Sequence, residues 1–367
     1  VTSIHTNSGA VSALATLRET HDYMQTTQNR VSSGLRVGSA SDNAAYWSIS
    51  TTMKSSEKVL GAVNDALSLS QAIMDVTYTS MDQIRSLMDE VKNKVILGRS
   101  LPAVGGNGPW DTAVPFSELQ EMYAGSTLEK VDKEIQQLSL QVWSAAKSAN
   151  FNGVNLLVNA YDEDLTDYPE FKLPTGYGDG SGLIFSELDL SDITLFNANM
   201  QNHSGPNSNG LLDAAAFHKV SPSATFGYGG GFPAMNYQFY AGTGQTTPLH
   251  GGDGQPILIG LEYNGRTDPD YDRGYAYDTL ISSLDAVIEI LTDRMATVGA
   301  LSSSLEAYAD FNQSQQDALT SGIGRLIDAD MNEESSRLKA LQTREQLVIQ
   351  SLSIANAGSQ GLLSLFN

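Results

Sequence analysis

Three aspartates at alternate positions, Asp268, Asp270 and Asp272, come nearest to a chemical site in this chain. Carboxylates at the first, third and fifth places open a calcium loop, but such a loop needs glycine at its sixth place and a bidentate glutamate at its twelfth. Arg273 and Thr279 stand there instead, so an acidic turn is the plainer reading. The histidines, His5, His21, His203, His218 and His250, are scattered, and no His-Glu-x-x-His pair sets two imidazoles on one helix face for zinc. Cysteine is absent, which removes disulfides, thiolate metal sites and a thiol nucleophile. Glycine clusters at 176–182, 227–231 and 251–254 contain neither GxGxxG nor GxxxxGK, so they read as turns rather than phosphate cradles. Asn202-His203-Ser204 and Asn312-Gln313-Ser314 fit the glycosylation tripeptide, a match short enough to arise by chance. No enzyme chemistry and no cofactor is expected.

Charge excludes a further class. With 42 acidic residues against 21 basic ones and a net charge of -21, the chain lacks the clustered Lys and Arg that phosphate contacts require, so no nucleic-acid partner is expected. The acid is concentrated in the middle: residues 154–276 hold fifteen acidic and four basic side chains, while 1–41 and 323–367 are nearly neutral. That middle reads as hydrated outer surface. No apolar run approaches the roughly 18 residues of a membrane span, so no membrane insertion is expected. No basic-then-apolar segment precedes a cleavage site, so secretion is expected to be independent of a signal peptide.

What the sequence does build is a pair of helical seams at its two ends. Met331, Leu338, Leu341, Val348, Leu352 and Ala355 fall at three- and four-residue steps, and Ile4, Val11, Leu14, Leu17, Met24, Val31 and Leu35 fit the same step, with His21 and Gln28 filling gaps. The two ends read as halves of one coiled coil formed at an interface. The alternative is a two-helix core within one chain, which must first close a long loop.

Between them, Val63, Ala66, Ile73, Met81, Ile84, Met88, Val91 and Val95 predict one long helix from Glu57 to about Leu97. A second is predicted from the Ser126/Glu129 capping box through Val131, Ile135, Leu138 and Val142 to Asn152-Gly153, with the Gly/Pro stretch 102–109 as connector. Strands are predicted at Leu183–Leu190, Met235–Tyr240 and Ile257–Tyr263, the last closed by an Asn264-Gly265 turn. Helix returns near Asp278 with Leu280, Leu284, Val287, Ile288, Leu291, Met295, Val298, Leu305 and Tyr308, and Gly322 with Gly324 predict a hinge before the last seam. The fold class is mainly α with a β-containing insert.

The segment Asn29–Ser50, NRVSSGLRVGSASDNAAYWSIS, resembles the N-terminal signature of bacterial flagellins, and FNGVNLL at 151–157 resembles the turn closing their second N-terminal helix. At the far end, IDADMNEESSRLKALQTREQL at 327–347, SIAN at 353–356 and LLSLF at 362–366 resemble the flagellin C-terminus, closest to the short rhizobial type. The likeness covers roughly residues 1–157 and 276–367 and leaves the middle without a counterpart.

The resemblance implies a structural subunit that self-assembles into the extracellular flagellar filament, the helical propeller of swimming. It implies export of the unfolded chain by the flagellar export apparatus with a chaperone, and terminal helices that order as subunits stack into a homopolymer. Sister flagellins and the hook-associated junction and cap proteins are the implied neighbours. Residues 1–41 and 323–367 are expected to form the terminal coiled-coil domain of an inner tube. Residues 42–189 and 273–322 would form the outer-tube helical domain with a small β-hairpin, and 190–272 a variable, surface-exposed β-rich domain dispensable for building a filament.

The assembly interface is assigned to Ile4, Val11, Leu14, Leu17, Met24, Val31, Leu35, Met331, Leu338, Leu341, Val348, Leu352, Leu362, Leu363, Leu365 and Phe366. Arg30, Arg36 and Arg85 are read as bridges between subunits through their planar forks of donors, the alternative being solvated arginines on a helix face. The second functional reading is the hook–filament junction protein, which usually carries Pro where Ser41-Asp42-Asn43-Ala44 has Ala44. Arg85-Ser86-Leu87 and Gly38–Trp47 depart from the flagellin patterns read by animal and plant receptors, so weak innate immune recognition is expected.

Overall fold

The computed structural model describes residues 7–104, 116–159, 171–178, 182–190, 193–197, 211–212, 250–251, 255–259, 261–262 and 273–364. The helices are α1 (Ser8–Ser33), α2 (Ala44–Ser100), α3 (Phe116–Tyr123), α4 (Thr127–Ser148), α5 (Arg273–Ile327) and α6 (Met331–Ser364). Short strands lie between α4 and α5: β1 (Val158–Asn159), β2 (Phe171–Gly178), β3 (Gly182–Leu188), β4 (Phe196–Asn197), β5 (His250–Gly251) and β6 (Gln255–Pro256). The fold is thus mainly helical with a small β content in the middle. The chain divides into two compact units, one of residues 1–62 with 311–367 and the other of residues 63–310.

In the first unit Asn7 caps α1 by accepting from the Ala10 N–H, and Gly34, at φ 71°, ends it by returning its N–H to Arg30. Leu35, expected on the helical seam, therefore lies beyond the helix. It forms an antiparallel bridge to Asp328 and packs with Met53 and Leu326 on Val37, Ile323 and Ile327. The hinge expected at Gly322 and Gly324 is absent, because α5 runs through both to Ile327. These glycines serve close approach: a Cβ on Gly322 would sit 2.7 Å from Met53 Cε, and one on Gly324 2.7 Å from Asp328 Oδ2. The break comes at Asp328–Asp330, where Asp330 Oδ1 accepts the Asn332 N–H (2.8 Å) and starts α6.

In the second unit the predicted stripe on α2 is buried at Val63, Ile73, Met81, Ile84, Met88, Val91 and Val95, joined by Leu67 and Met74. Buried in the same unit are Val131, Ile135, Leu138 and Val142 of α4 and Leu280, Leu284, Val287, Leu291, Met295, Val298 and Leu305 of α5. Tyr308, expected on that face, is instead exposed. Ser126 caps α4 as expected, but Glu129 reaches back to the Gly125 N–H (2.6 Å) rather than to the capping residue itself. In FNGVNLL, Asn152 and Gly153 take positive φ values of 51° and 88°. Asn155 then donates to the Ala146 carbonyl and accepts from the Leu157 and Val158 N–H groups, fastening the exit of α4.

The middle of the chain departs furthest from expectation. The predicted strand at Leu183–Leu190 is β3, but its partner β2 occupies part of the stretch read as a glycine loop; the two pair from Phe171↔Leu188 to Gly178↔Gly182 with a bulge at Thr175. The predicted strand Ile257–Tyr263 is helical at 257–259 and 261–262. Met235–Tyr240, the 227–231 cluster, the Asn264-Gly265 turn and Asp268–Asp272 lie outside the described residues.

Parts assigned to a surface domain are core. Ile193, Leu195, Phe196, Leu211, Leu212, Ile257, Leu258, Ile259 and Leu261 are buried. The Leu195 and Phe196 N–H groups donate to Leu157 O, setting β4 parallel to β1, and Phe196 meets Trp143 edge-on at 5.1 Å between ring centroids. Arg294 of α5 donates to Thr194 O at 2.8 Å. Removing 190–272 whole would strip these groups from the second unit.

Candidate self-assembly surface

The two seams do meet, within one chain, as the antiparallel pair α1–α6. Asn7 Nδ2 donates to Ala355 O (2.9 Å) at one end, and Arg30 pairs with Glu334 (3.2 Å) at the other. On α6 the less exposed positions are Glu334, Ser335, Leu338, Leu341, Glu345, Val348, Leu352 and Ala355. This is the expected seam with two glutamates in its gaps, except that Met331 is exposed at the helix start.

On α1 the seam is turned. Leu17, Met24 and Val31 lie on it, but the intervening places belong to Ala10, Ala13, Thr20 and Thr27, while Val11, Leu14, His21 and Gln28 are exposed. Small side chains let two helices approach, and the Thr20 hydroxyl is satisfied by its own helix through Thr16 O (2.7 Å), so it can be buried. A reading that weighted large apolar residues passed over this face. The β-branched threonines at a seven-residue spacing were the signal available. Leu362 and Leu363 lie in the last turn of α6; Ile4, Leu365 and Phe366 fall outside the described residues.

A two-helix pair covers only one stripe of each helix, and both outer faces here carry large apolar groups. Val11 is 63% exposed, and on α6 Leu347 and Ile354, one heptad apart and turned away from α1, are 61% and 68% exposed. Elsewhere Tyr46, Trp47 and Ile49 are exposed at the start of α2, as are three consecutive apolar residues of β3, Leu183, Ile184 and Phe185. Scattered exposed apolar residues need no explanation, but runs of this kind mark association surfaces.

Each arginine has a partner in its own chain. Arg30 meets Glu334, itself nearly buried, and Arg36 donates to Leu326 O (3.0 Å). Arg85 spends its fork on Asp82 (3.1 Å) and Asp89 (3.4 Å) of the same helix. Beside Arg36, Asp42 Oδ2 accepts from the Gly38 and Ser39 N–H groups and the Ser39 hydroxyl, which holds its carboxyl below the usual range. Asn43 then starts α2 by accepting the Tyr46 N–H. Among the described residues no three His, Cys, Asp or Glu side chains gather as metal ligands, and no helix is long and apolar enough to cross a membrane.

Comparison with known proteins fits this arrangement. The bacterial flagellin N-terminal helical region matches residues 4–100 and the bacterial flagellin C-terminal helical region residues 281–366. Flagellin C of Rhizobium meliloti (strain 1021) is 36% identical over 370 residues, covering 100% of this chain and 99% of the relative. Flagellin A of Rhizobium meliloti is 35% identical over 422 residues with both chains fully covered. A flagellin of Brucella melitensis is 31% identical over 366 residues, covering 99% of each.

The chain belongs to the bacterial flagellin family. As a flagellin it is a structural filament protein and not an enzyme. The flagellin signature Asn29–Ser50 has a physical role here: it ends α1, builds the Asp42-centred loop and starts α2.

Proposed function

We propose that subunits of this flagellin stack into the helical propeller of swimming through the outer faces of the α1–α6 pair. The observation that carries this is the double stripe: one apolar face of each helix is used inside the chain, and a second, with Val11, Leu14, Leu347 and Ile354, is left to solvent. A second copy supplies an apolar cover of the same chemistry, and repetition of that contact makes a filament rather than a closed dimer. Residues 1–41 with 323–367 are the inner part of this assembly and residues 42–189 with 273–322 its outer part. Passage through the flagellar export apparatus with a chaperone, and contacts with junction and cap proteins and sister flagellins, belong to the same reading. Ala44 in place of the junction protein's usual proline favours the filament subunit over the junction protein.

The test is seeded polymerisation of the purified chain. Filaments seen by electron microscopy that pellet with the seeds are expected. A chain that stays monomeric with fresh seeds rules the proposal out.

A two-helix hairpin encloses no core, so its stability alone is small against the ordering entropy of its residues. Limited proteolysis of the monomer should therefore cut within residues 1–41 and 323–367 long before 63–310, and assembly should protect both ends. Ends that resist cleavage in the monomer would show that ordering precedes assembly.

Innate recognition is expected to be weak, since the Arg85 fork is engaged by Asp82 and Asp89 and the exposed Tyr46 and Trp47 stand where flagellins commonly carry a small residue. A receptor-reporter response equal to that of an enteric flagellin at matched dose would remove this expectation.

A further inference from the structure

Among the described residues, Asp132 is a buried acid without a cation. It lies in α4, 1% exposed, and its Oδ2 accepts three hydrogen bonds: from the Tyr123 hydroxyl of α3, the Leu258 N–H (3.0 Å) and the Ile259 N–H (3.4 Å). Across a sequence gap of more than a hundred residues, it thus caps the helical turn at 257–259. Its Oδ1 is also buried but has no hydrogen-bond partner. Asp132 lines a cavity of about 240 Å³ with Gln120, Tyr123, Ala124, Glu129, Lys133, Gln136 and Ile259.

The charges near it do not neutralise it. Lys133 is taken by Glu129 at 2.7 Å, and Glu129 also holds the Gly125 N–H. From α3 it is faced by Tyr123, a phenol that burial pushes well above its usual range and so keeps as a neutral donor. Beyond the 257–259 turn, Glu262 is engaged by Arg273 (2.6 Å) and by the Tyr277 hydroxyl (3.1 Å).

We infer that Asp132 is a proton-operated clamp, fastening the returning end of the middle segment to α4 more firmly when Oδ1 carries a proton than when the carboxylate is bare. The bonding allows this because the three donors all address Oδ2, which as the carbonyl of a neutral acid still accepts each of them, though less strongly than a carboxylate does. A proton on Oδ1 removes an unpaired buried charge at the cost of a buried hydroxyl, the smaller of the two penalties. Burial raises the carboxyl to about 6 against the pull of its hydrogen bonds.

The direction of the pH effect follows. A carboxyl whose folded value lies above its unfolded one binds more protons when folded, so the second unit gains stability as pH falls through about 6 and stops gaining near the unfolded value of about 4. A shift of roughly two units corresponds to a change on the order of a hundredfold in the folding equilibrium. Acid ordinarily loosens proteins, so the sign itself is diagnostic.

The experiment is hydrogen exchange of the full-length monomer, followed by mass spectrometry on a peptide spanning 255–262. Rates at pH 7 and pH 5 are corrected for intrinsic chemistry. Wild type should be protected up to about tenfold more at pH 5. Asp132→Asn imitates the neutral acid, with its carbonyl in place of Oδ2 and its amide nitrogen in place of Oδ1. It should match the pH 5 wild type at both pH values. An Asp132→Asn chain that is less protected than wild type at pH 7, or fails to fold, overturns the inference, as does wild-type protection that is equal or lower at pH 5. Tyr123→Phe offers an independent check, because losing a donor to the carboxylate should move the transition to higher pH; a transition moving down or staying put counts against the clamp.

Discussion

Replacing Arg273 with alanine should lower the unfolding free energy of the second unit by about 3–5 kcal/mol, among the largest effects of any single side chain here. Glu262 is 2% exposed, and Arg273 is the only cation within salt-bridge reach of it among the described residues, at 2.6 Å. Truncation leaves that carboxylate buried beside the Tyr277 hydroxyl with no cation. It also frees two carbonyls at the end of α2, since the same guanidinium donates to Gly98 O (3.0 Å) and Arg99 O (2.9 Å) and stands 4.9 Å from the Tyr277 ring centroid.

One planar fork thus closes a helix end, neutralises an acid and covers a ring. Lysine cannot reproduce that fork, so Arg273→Lys should recover less than half of the loss. Urea unfolding followed by Trp143, which packs in the same unit, reports the change. A loss under about 1 kcal/mol would mean that solvent replaces the guanidinium at little cost and that Arg273 is no anchor.

Replacing Ile354 with glutamate should abolish polymerisation while leaving the monomer's circular dichroism unchanged. The side chain is 68% exposed, so a charge there costs the free chain almost nothing. Pressed into an apolar contact with another subunit, an unpaired carboxylate costs several kcal/mol, enough to raise the critical concentration by more than a hundredfold. Leu352→Glu is the instructive contrast. Leu352 lies on the α1–α6 seam, so the charge there should damage helix pairing and assembly together. Ordinary filaments from Ile354→Glu would place the subunit contact on another face.

The parts of the fold visible in the sequence are those where large apolar side chains repeat on one helix. The α6 seam and the faces of α2, α4 and α5 fall where the period puts them. On α1 the partner-facing row alternates Leu17, Met24 and Val31 with alanine and threonine, while Val11 and Leu14 stand outside it, so size misdirected the intervening places by one position. Ile257–Tyr263 reads as a strand, yet 257–259 and 261–262 are helical, and the cap of the first turn comes from Asp132 far away in sequence. Arg273 was legible only as the residue that spoils a calcium loop. What escapes in each case is a polar group whose partner is distant, since local propensity holds no record of it.

The two connectors between the helix pairs of the first unit run side by side and are laced together. The Arg36 and Val37 N–H groups both donate to Ile327 O, and the Ala329 N–H donates to Gly34 O. A lone strand of backbone swivels freely about its single bonds, but two strands cross-tied at such short intervals act as a ribbon, flexible to bending across its thin side and stiff to torsion. If the filament works as the proposed propeller, such a joint yields sideways as the filament curves and still passes on twist.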